Sequence, residues 1–143
     1  MEIERKFLIK KLPENLETFP CLLIEQAYLC TDPVVRVRRQ DNDYYMTYKG
    51  RGLMAREEYN LPLNSEAYEH LKAKADGRTI TKKRYCIPLG ELTIELDIFS
   101  SPPGLIMAEV EFPTKEAALS FTPPEWFAED VTRDSRYHNS NMI

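Results

Sequence analysis

Apolar and polar residues alternate with a period of two over most of the chain, as in β-strands that bury one face. Turn-forming clusters separate the strands, and most connections are short. The pattern therefore predicts that residues 1–143 form a single α+β domain, an eight-stranded antiparallel sheet closed into a β-barrel. The predicted strands are Glu2–Ile9, Leu22–Cys30, Val34–Arg39, Tyr44–Lys49, Met54–Leu61, Thr79–Pro88, Leu92–Phe99 and Leu105–Phe112.

Two segments have helical spacing instead. The first helix is predicted over Glu66–Asp76, with Asn64 at its N-terminal cap and Gly77 as its C-terminal stop. The second is predicted to begin after Thr114 and to end near Ser120. The apolar faces of the strands need a cover, so both helices are expected to pack on the outside of the barrel.

The polar faces of the strands carry clustered charges. In the first strand Glu2, Glu4 and Lys6 share one face, whereas Ile3 and Phe7 share the other. Acids dominate these faces in the first, seventh and eighth strands, and bases dominate in the third, fourth and sixth. The acids are Glu2, Glu4, Glu58, Glu95, Asp97, Glu109 and Glu111, and the bases are Lys6, Arg36, Arg38, Lys49, Arg56, Lys82 and Arg84.

An amphipathic sheet with its charged face in water is the alternative interpretation. Three features oppose it: like charges are paired at i and i+2, about 7 Å apart, the signs are segregated by strand, and the apolar faces are continuous enough to be covered by helices. If the helices cover the outside, the charged faces line an inside. Uncompensated buried charges cost several kcal/mol each, so the pattern predicts a wet, charged lumen that holds ligands.

The net charge and composition of the chain argue against some classes of binding partner. The chain has 143 residues, a net charge of −4 and a pI near 5.3, which argues against extended nucleic-acid binding and anionic membranes. Its N-terminus is charged and no apolar run approaches a membrane span of about 20 residues, so a cytoplasmic location is expected. His70 and His138 lack ligand spacing and are expected to be solvated or locally bonded. The pattern assigns no oligomeric state.

The two classes of charge indicate two kinds of ligand. Clustered arginines and lysines favour a polyanion with oxygens in several directions, which points to phosphate. Clustered carboxylates without histidine or thiol partners favour a hard divalent cation such as Mg²⁺ or Mn²⁺. Polyphosphate and a hard metal ion in one cavity are the requirements of phosphoryl or nucleotidyl transfer.

The order of these motifs resembles the CYTH superfamily, also called the triphosphate tunnel metalloenzymes. Glu2-Ile3-Glu4-Arg5-Lys6 matches its ExExK motif on a predicted first strand. The later matches are Arg36-x-Arg38, Lys49, Arg56-x-Glu58, Lys82-x-Arg84, Glu95-x-Asp97, Glu109-x-Glu111 and the tail from Asp130 to Asn139. The resemblance covers essentially the whole chain and implies an eight-stranded tunnel that hydrolyses or rearranges triphosphates with a divalent metal ion.

The resemblance also implies a role for each charged residue. Metal ions would be held by Glu2, Glu4, Glu109 and Glu111, with Glu95 and Asp97 completing or orienting that set. The phosphate chain would be gripped by Arg36, Arg38, Lys49, Arg56, Lys82 and Arg84. Lys6 would touch the phosphate under attack, and Glu109 or Glu111 would accept the proton of the attacking water.

Hydrolysis of inorganic tripolyphosphate is the preferred prediction among the family's activities. The nearest alternative is a class IV adenylyl cyclase or a nucleoside, RNA or thiamine triphosphatase. Recognition of a base needs an aromatic or apolar slot near the tunnel mouth, which Trp126 or Tyr28 would supply. Packing on the exterior is favoured for Trp126, and a hydrogen-bonding role in the lumen is equally expected for Tyr28. A non-catalytic polyphosphate or nucleotide sensor would need the bases but not seven acids. Because the chain stops at Ile143, closure of one tunnel mouth is expected to be reduced or absent.

Overall fold

The computed structural model describes residues 1–143 and contains ten strands and two α-helices. The strands are β1 (Glu2–Ile9), β2 (Cys21–Thr31), β3 (Val34–Gln40), β4 (Asp43–Lys49), β5 (Ala55–Arg56), β6 (Glu58–Leu63), β7 (Asp76–Leu89), β8 (Leu92–Ser101), β9 (Ile106–Glu111) and β10 (Phe127–Asp130). The helices are α1 (Ser65–Lys72) and α2 (Lys115–Ser120), and single 3-10 turns lie at Leu16–Thr18, Ser135–Tyr137 and Asn139–Asn141. No helix is long and apolar enough to cross a membrane.

The strands form a nearly closed antiparallel barrel. Neighbours pair in the order β10-β1-β9-β8-β7-β2-β3-β4-β6, and β5 pairs back to β1. Closure depends on two residue pairs, Glu2 with Arg56 and Ile3 with Ala55, and on a backbone hydrogen bond from Glu4 to Met54 of 3.0 Å. If β5 and β6 are counted as one bent strand, the ring has eight members, which confirms the predicted barrel.

The predicted fifth strand, Met54–Leu61, is therefore two short strands interrupted at Glu57. The interruption lets β5 turn toward β1 while β6 stays paired with β4. Further along β1, past its pairing with β5, the partner strand is β10, and Phe7 lies opposite Asp130.

Both helices cover the apolar exterior, as predicted. Tyr68 of α1 is fully buried against Ala27 and Val37, which face outward from β2 and β3. On the opposite wall Ala118 of α2 joins a larger buried cluster that includes Phe7. The burial of these outward faces leaves the alternate residues of each strand pointing inward.

The prediction that the first helix extends to Asp76 with Gly77 as its stop is wrong. Helix α1 ends at Lys72, because Asp76 already pairs with Tyr28 as the first residue of β7. Gly77 has φ +65°, and a Cβ there would lie 2.8 Å from Cβ of Ile143. The glycine is thus required by the close approach of the C-terminal tail rather than by the helix.

One end of the barrel is closed by apolar side chains, which we call the apolar floor. It consists of Tyr28, Val34, Ile80, Phe99, Met107 and Met142. The tail contributes Met142, whose carbonyl accepts a 2.7 Å hydrogen bond from Nε of Arg78, and Ile143 packs against the floor. The tail therefore packs against this end of the barrel.

Candidate active site

The charged faces of the strands meet inside the barrel around a cavity of about 310 Å³. Most of the site residues predicted from the sequence line this cavity. They are Glu2, Glu4, Lys6, Arg36, Arg38, Lys49, Arg56, Lys82, Arg84, Glu95, Glu109 and Glu111. Asp97 alone among them does not line it, because its side chain is completely buried behind two bases.

Carboxylates from β1 and β9 are placed side by side by the strand register. Glu4 lies opposite Glu111, and Lys6 lies opposite Glu109. Burial first, and then the charge of Glu109, raise the pKa of Glu4 to about 7. Partial burial and the charge of Glu2 likewise raise the pKa of Glu111, which lies at the exposed end of β9 and has no ion pair. This side of the lumen thus holds carboxylates that lack sufficient positive charge.

Glu109 differs from its neighbours because bases surround it. Its carboxylate lies 3.6 Å from Nζ of Lys6 and 3.5 Å from Nη2 of Arg84. Burial opposes ionisation, but Lys6, Arg84 and Lys82 outweigh it and hold the pKa of Glu109 well below its usual value. Glu109 is consequently ionised throughout the neutral range.

Asp97 is the counter-ion of two lumen bases. Its two oxygens accept from Nε and Nη2 of Arg84 at 2.8 and 2.9 Å, a bidentate pair, and Nζ of Lys82 lies 2.8 Å away. Despite complete burial, Arg84 and then Lys82 lower the pKa of Asp97. Asp97 was expected either to complete or to orient the set of metal-binding carboxylates. Its contacts match an orienting role, because they hold the side chains of Arg84 and Lys82.

A second set of ion pairs lies near the β1–β5 pairing that closes the barrel. Nζ of Lys49 donates to Oε1 of Glu2 at 2.9 Å and lies 3.8 Å from Glu58. Burial and a hydrogen bond with Glu58 raise the pKa of Glu2, although Lys49 opposes the shift. Lys49 is thus already engaged by acids.

Three guanidinium groups of the lumen have no carboxylate within 4.0 Å, and these are Arg36, Arg38 and Arg56. Arg38 donates from Nε and Nη2 to Oε1 of Gln26 at 3.0 and 2.8 Å, and Arg56 donates to the carbonyl of Gly50. Nε of Arg36 is buried without any hydrogen-bond partner. Burial first, and then the charge of Arg36, lower the pKa of Arg38 to about 9. These groups form a concentration of positive charge that an anion would neutralise.

The donor set of the acidic side can be compared with the needs of a metal ion. No three His, Cys, Asp or Glu side chains converge closely enough to hold an ion unaided. Glu4 and Glu111 nevertheless lie in register with raised pKa values, so a cation between β1 and β9 would relieve their repulsion. The set therefore fits a hard divalent ion that completes its coordination with phosphate and water oxygens.

The C-terminal tail supplies lumen residues that strand alternation did not identify: His138, Asn139 and Ser140. Oδ1 of Asn139 accepts from Nζ of Lys82 at 2.8 Å and from Nε2 of Gln26 at 3.0 Å. His138, expected to be solvated or locally bonded, is 8% exposed and lines the cavity. The tail has no strand periodicity, so its likeness to the closing segment of CYTH proteins was the sole sequence signal for these residues.

The two aromatic residues considered for a base-binding slot do not form one. The hydroxyl of Tyr28 accepts a 2.9 Å hydrogen bond from Nε2 of Gln26, and its side chain is buried in the apolar floor. Trp126 packs on the exterior, edge-on to Phe127 with ring centroids 4.7 Å apart. The lumen therefore presents almost entirely polar and charged groups.

Comparison with known proteins gives a consistent result. The family model described as CYTH domain matches residues 1–140. An inorganic triphosphatase of Nitrosomonas europaea is 42% identical over 150 residues, which cover 99% of this chain and 95% of that protein. An inorganic triphosphatase of Acetivibrio thermocellus is 35% identical, covering 99% of this chain and 92% of that protein. A crystal structure of an inorganic triphosphatase superposes with a TM-score of 0.73 at 36% identity, covering 99% and 93% of the two chains.

Proposed function

The chain belongs to the CYTH domain family, and from that premise we propose that it is a metal-dependent triphosphatase acting on inorganic tripolyphosphate. Two relatives that align with nearly all of this chain are named inorganic triphosphatases, which supports this substrate ahead of nucleotides. In the proposed reaction water attacks a terminal phosphorus and the phosphoanhydride bond breaks, giving orthophosphate and pyrophosphate. Residues 1–143 act as one catalytic domain, and the proposed location is the cytoplasm.

The observation that carries this proposal is the separation of unpaired charges within one lumen. Arg36, Arg38 and Arg56 have no carboxylate partner. On the acidic side the buried Glu4 has only Lys6, 3.7 Å away, and the exposed Glu111 has no basic partner. A cavity that only stabilised the fold would pair these groups with each other. Unpaired guanidiniums suit the oxygens of a polyphosphate chain, and unsatisfied carboxylates suit a cation bound with it.

The metal ion is proposed to be Mg²⁺ or Mn²⁺, which would draw its ligands from Glu2, Glu4, Glu109 and Glu111 together with phosphate oxygens. Such an ion, when bound, neutralises phosphate charge and lowers the pKa of a coordinated water. Glu95 lies opposite Glu109 on β8 and extends this oxygen-rich surface.

The protein's own groups are proposed to act as follows. The three unpaired arginines bind and orient the phosphate chain, and Lys6 contacts the phosphate under attack beside Glu4, 3.7 Å away. The bases around Glu109 lower its pKa and make it a weak proton acceptor, whereas the pKa of Glu111 is raised. Glu111 is therefore the proposed acceptor of the proton from water. Asp97 keeps Arg84 and Lys82 in place, so these two bases contact the chain at fixed positions. Lys49, beside Glu2 at the β1–β5 pairing, is proposed to contact the phosphate chain from that side of the lumen.

The lumen also supports an inorganic substrate over a nucleotide. Only 3 of its 22 lining residues are hydrophobic, and Trp126 packs outside the cavity. Of the two aromatic residues that line it, Tyr28 is buried, so the half-buried Tyr45 alone could present a ring face. Discrimination in favour of a nucleoside would require such a face.

A matched pair of variants tests the proposal. Glu4→Gln removes a lumen carboxylate with little change of shape, whereas Glu129→Gln makes the same change on the exposed surface of β10. Orthophosphate release from tripolyphosphate with Mg²⁺ is expected to fall by at least a hundredfold in Glu4→Gln and to stay at the wild-type rate in Glu129→Gln. Full activity of Glu4→Gln would remove this carboxylate from the metal site.

A further inference from the structure

Two buried side-chain polar atoms of the whole protein lack a hydrogen-bond partner, Nε of Arg36 and Nε2 of His138. Both residues line the lumen. A buried donor without a partner costs about 1–3 kcal/mol, so proteins seldom retain one unless a ligand or water completes it. Arg36 already has a proposed ligand, the phosphate chain. The free nitrogen of His138 has no such partner among the groups described above.

The backbone that carries the imidazole is held in position by the tail. The backbone N–H of His138 donates to the carbonyl of Ser135 at 3.1 Å, and its carbonyl accepts from the N–H of Asn141 at 2.9 Å. The next residue, Asn139, is fixed inside the barrel by its bonds to Lys82 and Gln26. Such anchoring on both sides is the arrangement expected of a preorganised binding group.

The surroundings of the ring favour an anion at its free nitrogen. Burial, followed by the charges of Lys6, Arg56 and Lys49, lowers the pKa of His138 to about 4, with Glu109 opposing. The ring is therefore neutral in the ligand-free protein, and one of its nitrogens carries a hydrogen. A neutral N–H in a field made by three bases is well suited to donate to a phosphate oxygen.

We propose that Nε2–H of His138 donates a hydrogen bond to a phosphate oxygen of the triphosphate, next to the phosphate that Lys6 contacts. His138 is thereby a substrate-binding residue supplied by the tail, in addition to the bases supplied by the strands. This inference rests on the proposed triphosphatase function. It assigns the tail two tasks, because the same segment closes the barrel with Met142 and binds substrate with His138.

A direct test observes the two imidazoles by ¹⁵N-resolved NMR, since the chain contains only His70 and His138. The probe is bis-methylene triphosphate with Mg²⁺, an analogue that resists hydrolysis, and calorimetry on the same sample establishes saturation. The Nε2 resonance of His138 is expected to shift on saturation. The resonance of His70, exposed on α1, is expected to stay in place and serves as the internal control.

Two variants isolate the hydrogen bond from the packing of the ring. His138→Phe keeps a planar ring without a donor, and His138→Gln restores an N–H near the position of Nε2. His138→Phe is expected to raise KM for tripolyphosphate roughly 10- to 100-fold with little change in kcat, the loss of one hydrogen bond to a charged group. His138→Gln is expected to recover most of it, and both variants should match the wild-type unfolding midpoint within a few degrees.

The outcomes separate the two proposals. If the analogue binds while His138 Nε2 does not shift, and His138→Phe keeps the wild-type KM, the hydrogen bond is refuted and the triphosphatase function stands. If calorimetry detects no binding of the analogue and tripolyphosphate is not turned over, the proposed function fails and the role of His138 fails with it.

Discussion

Asp97→Asn is the substitution whose effect the structure defines most sharply. The change keeps the shape of the side chain but removes the charge that holds Arg84 at 2.8 and 2.9 Å and Lys82 at 2.8 Å. Asp97 is completely buried and both bases are nearly so. The substitution leaves Lys82 without a carboxylate partner and leaves Arg84 with only Glu95 and Glu109. Breaking a buried ion pair on one side costs about 3–5 kcal/mol. For a domain of this size that loss corresponds to a fall of roughly 10–20 °C in Tm.

Urea unfolding at pH 7.5 with chelator measures this loss without contribution from metal or substrate. The folded-state pKa of Asp97 is lowered, so its contribution is present at neutral pH and is lost as the pH falls through that value. The expected loss should therefore persist into mild acid and shrink only below about pH 4, where the carboxyl of the unfolded chain is itself protonated. The slope of the unfolding free energy against urea should be unchanged.

Asp32→Asn is the matched control, because Asp32 also forms a bidentate pair, with Arg51 at 3.0 Å, but on the open surface. Exposed pairs contribute little, so this variant should unfold at the wild-type midpoint. Equal midpoints for Asp97→Asn and Asp32→Asn would refute the assignment of Asp97 as the counter-ion of the lumen bases.

Three further results are expected. In metal-free buffer at pH 8, Glu4→Gln should be more stable than wild type by roughly 2–3 kcal/mol, because a folded-state pKa raised to about 7 makes ionisation costly above that pH. The gain should shrink toward pH 5 in urea unfolding, and its absence at pH 8 would contradict the crowding of carboxylates. Arg38→Gln should raise KM for tripolyphosphate about 10- to 100-fold in steady-state assays, since it removes an unpaired guanidinium, and an unchanged KM would exclude it from the substrate site. Gly77→Ala should cost roughly 1–3 kcal/mol more than Gly90→Ala in the same unfolding assay, because both have positive φ but only Gly77 faces Ile143; equal losses would contradict that contact.

Strand alternation was sufficient to separate lumen from exterior. Side chains alternate between the two faces of every strand. Because the apolar faces are buried under α1 and α2, the charged faces point into the lumen. The lumen residues of β1 and β9 could thus be chosen from the sequence, and the structure places Glu4 opposite Glu111.

Alternation could not predict which charges would pair. Asp97 and Glu95 share one face of β8, yet Asp97 is enclosed by Arg84 and Lys82 whereas Glu95 keeps access to the cavity. Pairing depends on depth along the tilted barrel and on side-chain reach, neither of which is encoded by a period of two.

The tail was the least predictable part of the site. His138 and Asn139 reach the lumen through contacts with residues more than fifty positions away, such as Lys82 and Gln26. No local pattern specifies a contact of that kind. The early end of α1 has the same origin, because pairing of Asp76 with Tyr28 overrides the local helical signal.

The most direct test of the central claim is the release of orthophosphate and pyrophosphate from tripolyphosphate and from ATP, measured side by side. Each substrate should be assayed with Mg²⁺, with Mn²⁺ and with chelator. We expect rapid orthophosphate release from tripolyphosphate that requires a metal ion, and slow turnover of ATP. Pyrophosphate release from ATP without turnover of tripolyphosphate, or no turnover of either compound, would contradict the assignment.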